Sequence, residues 1–402
     1  MKESKKILRV ISSMNPKGGG PCQGIRNSIP ELQKLGIQND VVCLDASDSD
    51  YLEKDDFNIY AIGTSKGPWA YNENLIPWLV ENALNYKAII IHGLWQFNSY
   101  AVYKAVKTLK SKKNKAIPYY VMPHGMLDPY FQKAPERRIK AIRNWLFWKF
   151  IEGKVVNNAN GILFTCEEEL LLARETFIPY KPNKELNVGY GILEPPKVTI
   201  QIQKAFENTC PEVYGKPFLL FLSRIHHKKG VDILLKAYYQ WVSTSNIKDP
   251  IKLVIAGPGL ESNYGKELLE FINSKPILKD HIFFTGMLSG DSKWGAFYAS
   301  EAFILNSHQE NFGISIVESL ACGKPVLISN KVNIWREIKE GHAGFVEDDT
   351  LSGTLNLFKN WEELNSLNKV KMRENAKKIF KKFYAINPAA NRLKEAVIDE
   401  ID

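Results

Sequence analysis

Two glutamates, Glu310 and Glu318, stand eight positions apart in "HQENFGISIVESLACGKPVL", with Gly313 between them. The preceding "EAFILNS" reads as a strand and "GISIVESLACG" as a helix ending at Gly323, so His308–Phe312 forms a loop at the carboxyl end of a strand. The start of such a helix offers free N–H groups and a positive dipole end, a ready place for a phosphate. A carboxylate beside a phosphate is repelled, so Glu310 must address something neutral, and hydroxyls are the obvious choice. Helical side chains lean toward the N-terminus, so Glu318 reaches back toward the same place from one turn deeper. A carboxylate accepts two hydroxyl hydrogen bonds at once, as from the 2- and 3-hydroxyls of a ribose. Two hydroxyl-holding acids around a phosphate-holding helix start describe a nucleotide-sugar.

In "FLSRIHHKKG", Arg224 and Lys229 follow a strand-like run and suit a diphosphate, the arginine as a bidentate fork and the lysine as a point charge. "VIAGPG" carries Gly257 and Gly259, either for close backbone approach or for a turn. Near the start, Gly18, Gly19 and Gly20 in "SSMNPKGGGPCQGI" allow backbone N–H groups to approach a phosphate, although neither GxxxxGK[ST] nor GxGxxG is present. "VMPHGMLDP" ends a strand with His124, and "IIHGLWQ" puts His92 in the analogous place as a competitor. "DSD" at Asp48–Asp50 only superficially resembles a metal-binding pair of aspartates, so no metal site is expected.

The elements that must position these residues alternate. Strand-like runs fall at Ile7–Ser12, Asp40–Leu44, Ala88–His92, Tyr119–Met122 and Gly161–Thr165, then at Phe218–Leu222, Lys252–Ala256, His281–Phe284, Ala302–Leu305, Pro325–Ile328 and Gly344–Val346. Helical patterns such as Ile25–Leu35, Val231–Val242 and Lys266–Ile272 separate them. Two rounds of this alternation predict an α/β chain of two Rossmann-like, doubly wound domains facing a cleft. The expected boundary is "GILEPPKVTIQIQ", giving domains 1–195 and 196–384, with a final helix at 385–402 that has Asn387 as its N-cap and Pro388 at its first position. At 402 residues, 45% apolar and 24% charged, the chain has the composition of a soluble globular protein. Five scattered cysteines without a CxxC pair argue against a zinc site or disulfide framework and suit a reducing cytoplasm. No uncharged stretch is long enough to span a bilayer.

The set resembles the retaining glycosyltransferases of family 4, which have the GT-B fold. The resemblance rests on the E-x7-E pair Glu310 and Glu318 around "NFGIS", on "SRIHHKKG", "AGPG" and "PHGM", and on the glycine loop. It implies that Glu310 holds hydroxyls of the donor sugar near the anomeric carbon, that Glu318 holds the ribose, and that Arg224 and Lys229 bind the diphosphate. Main-chain amides at Phe312, Gly313, Ile314 and Ser315 would assist them. His124 would contact the donor sugar, and Met287 and Leu288 would flank the base. The last helix would cross back to the first domain. Asn311 stands where the family commonly has a small residue, and "VGYGI" (188–192) lacks the asparagine that many members have before the glycine. The implied reaction moves a hexosyl group from a UDP- or GDP-linked sugar to a sugar hydroxyl, with retention and without metal or other cofactor. The expected setting is bacterial polysaccharide or lipopolysaccharide assembly.

The net charge of +9 is local: residues 101–150 hold twelve Lys/Arg against two Asp/Glu. Within "FQKAPERRIKAIRNWLFWKFIEGKVV", Arg137, Arg138, Lys140 and Arg143 interleave with Trp145 and Trp148. Such a stretch suits the anionic inner face of a membrane carrying a lipid-linked acceptor, or else a half-buried helix with a solvated basic face. A cytoplasmic, peripherally membrane-bound enzyme is therefore expected. A nucleic-acid-binding protein would use the same charge but needs a recognition module that is absent. A sugar-nucleotide epimerase would bind the same donor without an acceptor, and a Rossmann dehydrogenase lacks its fingerprint.

Overall fold

The structure, a computed structural model, describes residues 5–134, 137–244 and 249–399. The chain divides into two compact units, Met1–Leu193 with Ala385–Asp402, and Glu194–Tyr384.

Unit 1 holds seven strands: β1 (Lys5–Val10), β2 (Ile37–Cys43), β3 (Ile59–Ala61), β4 (Ala88–His92), β5 (Tyr119–Met122), β6 (Gly161–Phe164) and β7 (Glu185–Asn187). Their order is β3-β2-β1-β4-β5-β6-β7, with every pairing parallel. Unit 2 holds β8 (Phe218–Leu222), β9 (Lys252–Ala256), β10 (Ile282–Gly286), β11 (Ala302–Leu305), β12 (Val326–Ser329) and β13 (Gly344–Glu347), ordered β10-β9-β8-β11-β12-β13 and again all parallel. Central strands such as "AIIIH", "AFIL" and "VLIS" are buried throughout, because helices cover both faces of a parallel sheet. In each unit the strand order reverses between the first and fourth strands, β1/β4 and β8/β11. Ligands bind outside the carboxyl ends of the strands at such a reversal.

The tail returns to unit 1. Val188, Ala390, Leu393, Val397 and Ile398 pack with Ile7, Ala88 and Ile90 of the sheet. The final helix is Ile386–Lys394, starting two residues earlier than the sequence suggests, with Ala385 rather than Asn387 as its cap. Ala385 forms a parallel bridge with Ile192, which fixes the chain as extended there and starts the helix immediately after. Pro388 still falls in the first turn, where no backbone donor is required. Glu400, inside the expected helix, lies outside the described residues, as do Pro135 and Glu136 of the basic stretch.

The basic stretch forms the helix Arg138–Phe147, continued by a π-helical turn, Trp148–Glu152. Only Asn144 of the first segment is buried. Trp148, expected on the outer surface, is instead 2% exposed and stacks on Phe177 at 4.7 Å. The π-turn shifts the helical phase and swings Trp148 inward. In the same turn Glu152 is fully buried; its Oε1 accepts from the Trp95 N–H and the Ser99 hydroxyl, while Oε2 has no partner among the described residues. Burial pushes the Glu152 carboxyl up to about 7. A carboxyl raised on folding stabilises below its unfolded value and loses that contribution as pH rises through its folded value. Stability is therefore expected to fall between about pH 4.5 and 7, by up to ~3 kcal/mol for a shift of this size. Thermal melts of Glu152→Gln should lose this slope; a slope equal to the wild type's would remove Glu152 as its source.

Candidate functional site

In unit 2 the loop after β8 and the loop after β11 are built against each other. Gly230 sits at φ 64°, and a Cβ there would lie 2.2 Å from the Asn306 carbonyl oxygen. The bare glycine lets the loop dock, and the His308 N–H and the Ser307 hydroxyl then both donate to the Lys228 carbonyl. This docking brings Lys229 onto Glu310, where its Nζ donates to Oε2. Lys229 is 7% exposed. Its ammonium carries three donors, so the bond to Glu310 leaves others for a phosphate.

Glu310 is fixed by its backbone. Its N–H donates to the Lys331 carbonyl and its carbonyl accepts from Asn333, both at 2.9 Å, extending the edge of β12. Gly313, at φ 73°, then turns the chain into the helix Ile314–Ala321. The first helical hydrogen bond runs from Ile316 N–H to the Gly313 carbonyl, so the Ile314 and Ser315 amides precede the ladder and face the helix start. Phe312 is buried edge-on against Tyr384 and anchors the turn. Glu318 lies one turn deeper; its Oε1 accepts from Lys293 Nζ at 2.7 Å. Burial pushes its carboxyl up, and Lys293 opposes that shift.

Arg224 is exposed and makes no hydrogen bond or ion pair among the described residues. Its loop is held by glycines. A Cβ on Gly257 would lie 1.8 Å from the Ser223 carbonyl oxygen, and one on Gly259 would lie 2.5 Å from that of Ile225. The "AGPG" glycines thus serve close backbone approach. Met287 is 75% exposed while Leu288 beside it is buried, so of the two it is Met287 that offers an apolar side chain at the surface.

In unit 1, Gly18 ends a 3-10 turn and Gly19 at φ 82° leads into the helix Gly20–Lys34. The Gly18 and Gly19 amides close that turn onto Asn15 and Pro16, so what faces outward is the helix start at Gly20. Buried Asp45 holds the approach, accepting from the Ser13 hydroxyl and the Met14 N–H. His124 and His92 are brought together, Nε2 to Nδ1, at 3.0 Å. Burial depresses both imidazoles, His124 to about 4, so both are neutral near pH 7. His124 sits at φ 52°, and Glu169 pins the next residue by accepting the Gly125 N–H.

The sequence motifs did not signal Lys293, Asp45 or Glu169. Each acts by a contact from a distant element and belongs to no spaced pattern. Among the described residues, no cluster of three metal-ligating side chains occurs, and Asp48 and Asp50 lie in an exposed turn.

Comparison with known proteins agrees with this architecture. Residues 205–379 match the family model described as Glycosyl transferases group 1. The alpha-monoglucosyldiacylglycerol synthase of Streptococcus pneumoniae is 25% identical over 322 residues, 78% of this chain and 68% of that protein. The D-inositol 3-phosphate glycosyltransferase of Acidothermus cellulolyticus is 28% identical over 132 residues, 32% of this chain and 30% of that protein. Among solved structures, Anabaena HepE in complex with UDP and glucose superposes with a TM-score of 0.73 at 17% identity, covering 98% of this chain and all of that one. WaaG, a glycosyltransferase involved in lipopolysaccharide biosynthesis, superposes with a TM-score of 0.64 at 13% identity, covering 98% of this chain and 99% of that one. Two parallel sheets of this order are those of the GT-B fold, and the match over residues 205–379 lies within the second unit, which resembles the Glycosyl transferases group 1 model.

Proposed function

We propose that the protein transfers a hexosyl group from a UDP- or GDP-linked sugar to a sugar hydroxyl of a lipid-linked glycan, with retention and without a metal, during cell-surface polysaccharide assembly. The observation that carries this reading is the Lys229–Glu310 pair held at the β8/β11 reversal, beside the start of the helix Ile314–Ala321. A cation, a helix start and a carboxylate gathered at one strand-order reversal support a site for a diphosphate and its attached sugar.

Charge develops on the departing diphosphate as the anomeric C–O bond breaks. Arg224, Lys229 and the Ile314 and Ser315 amides provide a fixed positive field for it. Glu310, already paired with Lys229, is suited to accept sugar hydroxyls rather than to attack carbon. The acceptor oxygen therefore bonds to the anomeric carbon on the face the diphosphate leaves. The bonding electrons go to the phosphate oxygen, which also takes the acceptor proton. Glu318 takes the ribose hydroxyls, and the neutral His124 imidazole is what unit 1 offers a sugar hydroxyl.

A thermal-shift panel of UDP-, GDP- and ADP-sugars tests the donor. A ligand at 100 times its dissociation constant stabilises by about 2.7 kcal/mol, so one sugar nucleotide should raise the melting point clearly. Glu318→Gln is expected to weaken that donor while nearly preserving turnover at saturation, because ribose is held alike in ground and transition states. No response to any donor would overturn the function. Collapse of turnover with affinity intact would overturn the ribose role.

The membrane reading rests on an exposed surface. Ile139 (86% exposed), Ile142 (64%), Trp145 (52%), Leu146 and Phe150 are solvent-facing around Arg138, Lys140, Arg143 and Lys149. Arg137 is only half-exposed, over the Phe131 ring. The half-buried helix alternative would hide these apolar side chains. No helix among the described residues is long and apolar enough to cross a membrane. Sedimentation with anionic liposomes is expected for the wild type and is expected to be lost in Ile139→Ser/Trp145→Ser. Equal sedimentation of both, or none with the wild type, would count against docking.

A further inference from the structure

Arg9 lies within β1 and is 1% exposed. It shares the strand face of Ile7, in the apolar layer that Val188, Ala390 and Leu393 complete beneath the returning helix Ile386–Lys394. Its Nε donates to Asn39 Oδ1 at 2.9 Å, but Nη2 is buried without a partner among the described residues. No carboxylate among the described residues acts on it. Burial alone draws its pKa down, and only to about 9, so the guanidinium stays charged at neutral pH. Asp40 of β2, level with Leu8, is taken by Lys6, Asn58 and Tyr86. A buried ion without a counter-charge carries a desolvation penalty that the bond to Asn39 offsets only in part.

Arg9 lines a small cavity of about 30 Å³ with His92, His124, Ser28, Gly189 and Tyr190. That is room for one or two bodies the size of a water molecule. His92, 4% exposed, also has a buried ring nitrogen, Nε2, without a partner among the described residues. His92 Nδ1 meets His124 Nε2, and either ring can be the donor; when His124 donates to His92 Nδ1, His92 keeps its proton on Nε2. The cavity then has two unsatisfied donors, one of them cationic, and no acceptor charge. It is far too small for a nucleotide or a sugar ring.

We propose that this cavity is a binding site for a small inorganic monovalent anion of the chloride class, held by the Arg9 guanidinium and the His92 imidazole N–H. The anion neutralises the buried arginine and fastens the returning helix to the sheet. It does not depend on the donor or acceptor proposed above.

The full-length protein is melted in sodium chloride, sodium bromide and sodium gluconate at equal ionic strength. The midpoint is expected to be several degrees higher in either halide than in gluconate. In Arg9→Met that difference should vanish, because the charge that needs the anion is gone. Equal wild-type midpoints, or a halide effect that persists in Arg9→Met, would overturn the site. Should Arg9→Met fail to fold, a crystal of wild-type protein soaked in bromide decides. An anomalous peak within hydrogen-bonding range of Arg9 Nη2 supports the site; water alone at that position, or bromide only at the surface, overturns it.

Discussion

Arg224→Ala and Lys229→Ala are each expected to lower kcat by about 10²–10³-fold, the effect of removing one preorganised donor from a developing oxyanion. The two should differ in everything else. Arg224 is exposed and unpaired among the described residues, so its loss should leave stability within about 0.5 kcal/mol of the wild type. Lys229 is buried against Glu310, so its loss also strands a carboxylate and should lower the melting point. Lys229→Arg is not a rescue, because a planar fork does not fit a site shaped for an ammonium. Single-turnover rates at saturating donor, measured beside donor affinity, separate the effects. Undiminished turnover in Arg224→Ala would remove it from the site.

Gly230→Ala is expected to be the more damaging change to the fold of the site. The added Cβ would meet the Asn306 carbonyl oxygen at 2.2 Å, and the residue would be held at φ 64°. The left-handed conformation alone costs roughly 1–2 kcal/mol. Forcing an atom into a packed backbone adds about 1–3 kcal/mol. Gly286→Ala is the internal control, since Gly286 has φ 67° but open space where its Cβ would go. The control should lose only the backbone contribution. Gly230→Ala should lose both, and its turnover should fall as well, because the same docking sets Lys229 on Glu310. Equal melting points for the two variants would mean that the loop can shift without consequence.

Much of this was legible in the sequence because parallel strands buried on both faces leave continuous apolar runs. Ala88–His92, Tyr119–Met122, Phe218–Leu222, Lys252–Ala256 and Ala302–Leu305 coincide with their runs to the residue. β3 and β7 did not show. "IYA" and "ELN" are three-residue edge strands, half exposed, with too few apolar positions to make a pattern. The final helix was placed late because Asn387-Pro388 resembles a cap, whereas the bridge from Ile192 to Ala385 sets its start. Trp148 was misplaced because a π-turn changes the phase that helical spacing assumes. In the site, Glu310, Glu318, Arg224 and Lys229 were visible as residue types at strand ends. Their partners were not. Lys293 reaches Glu318 from another helix, and Asn306 receives Gly230 through a backbone oxygen that any residue would supply.

A crystal structure of the protein with bound nucleoside diphosphate would test the central claim most directly. The account places the phosphate oxygens within hydrogen-bonding range of Lys229 Nζ, the Arg224 guanidinium and the Ile314 and Ser315 amides, with the ribose hydroxyls on Glu318. A nucleotide bound away from the β8/β11 reversal, with Lys229 touching only Glu310 and Glu318 only Lys293, would contradict it.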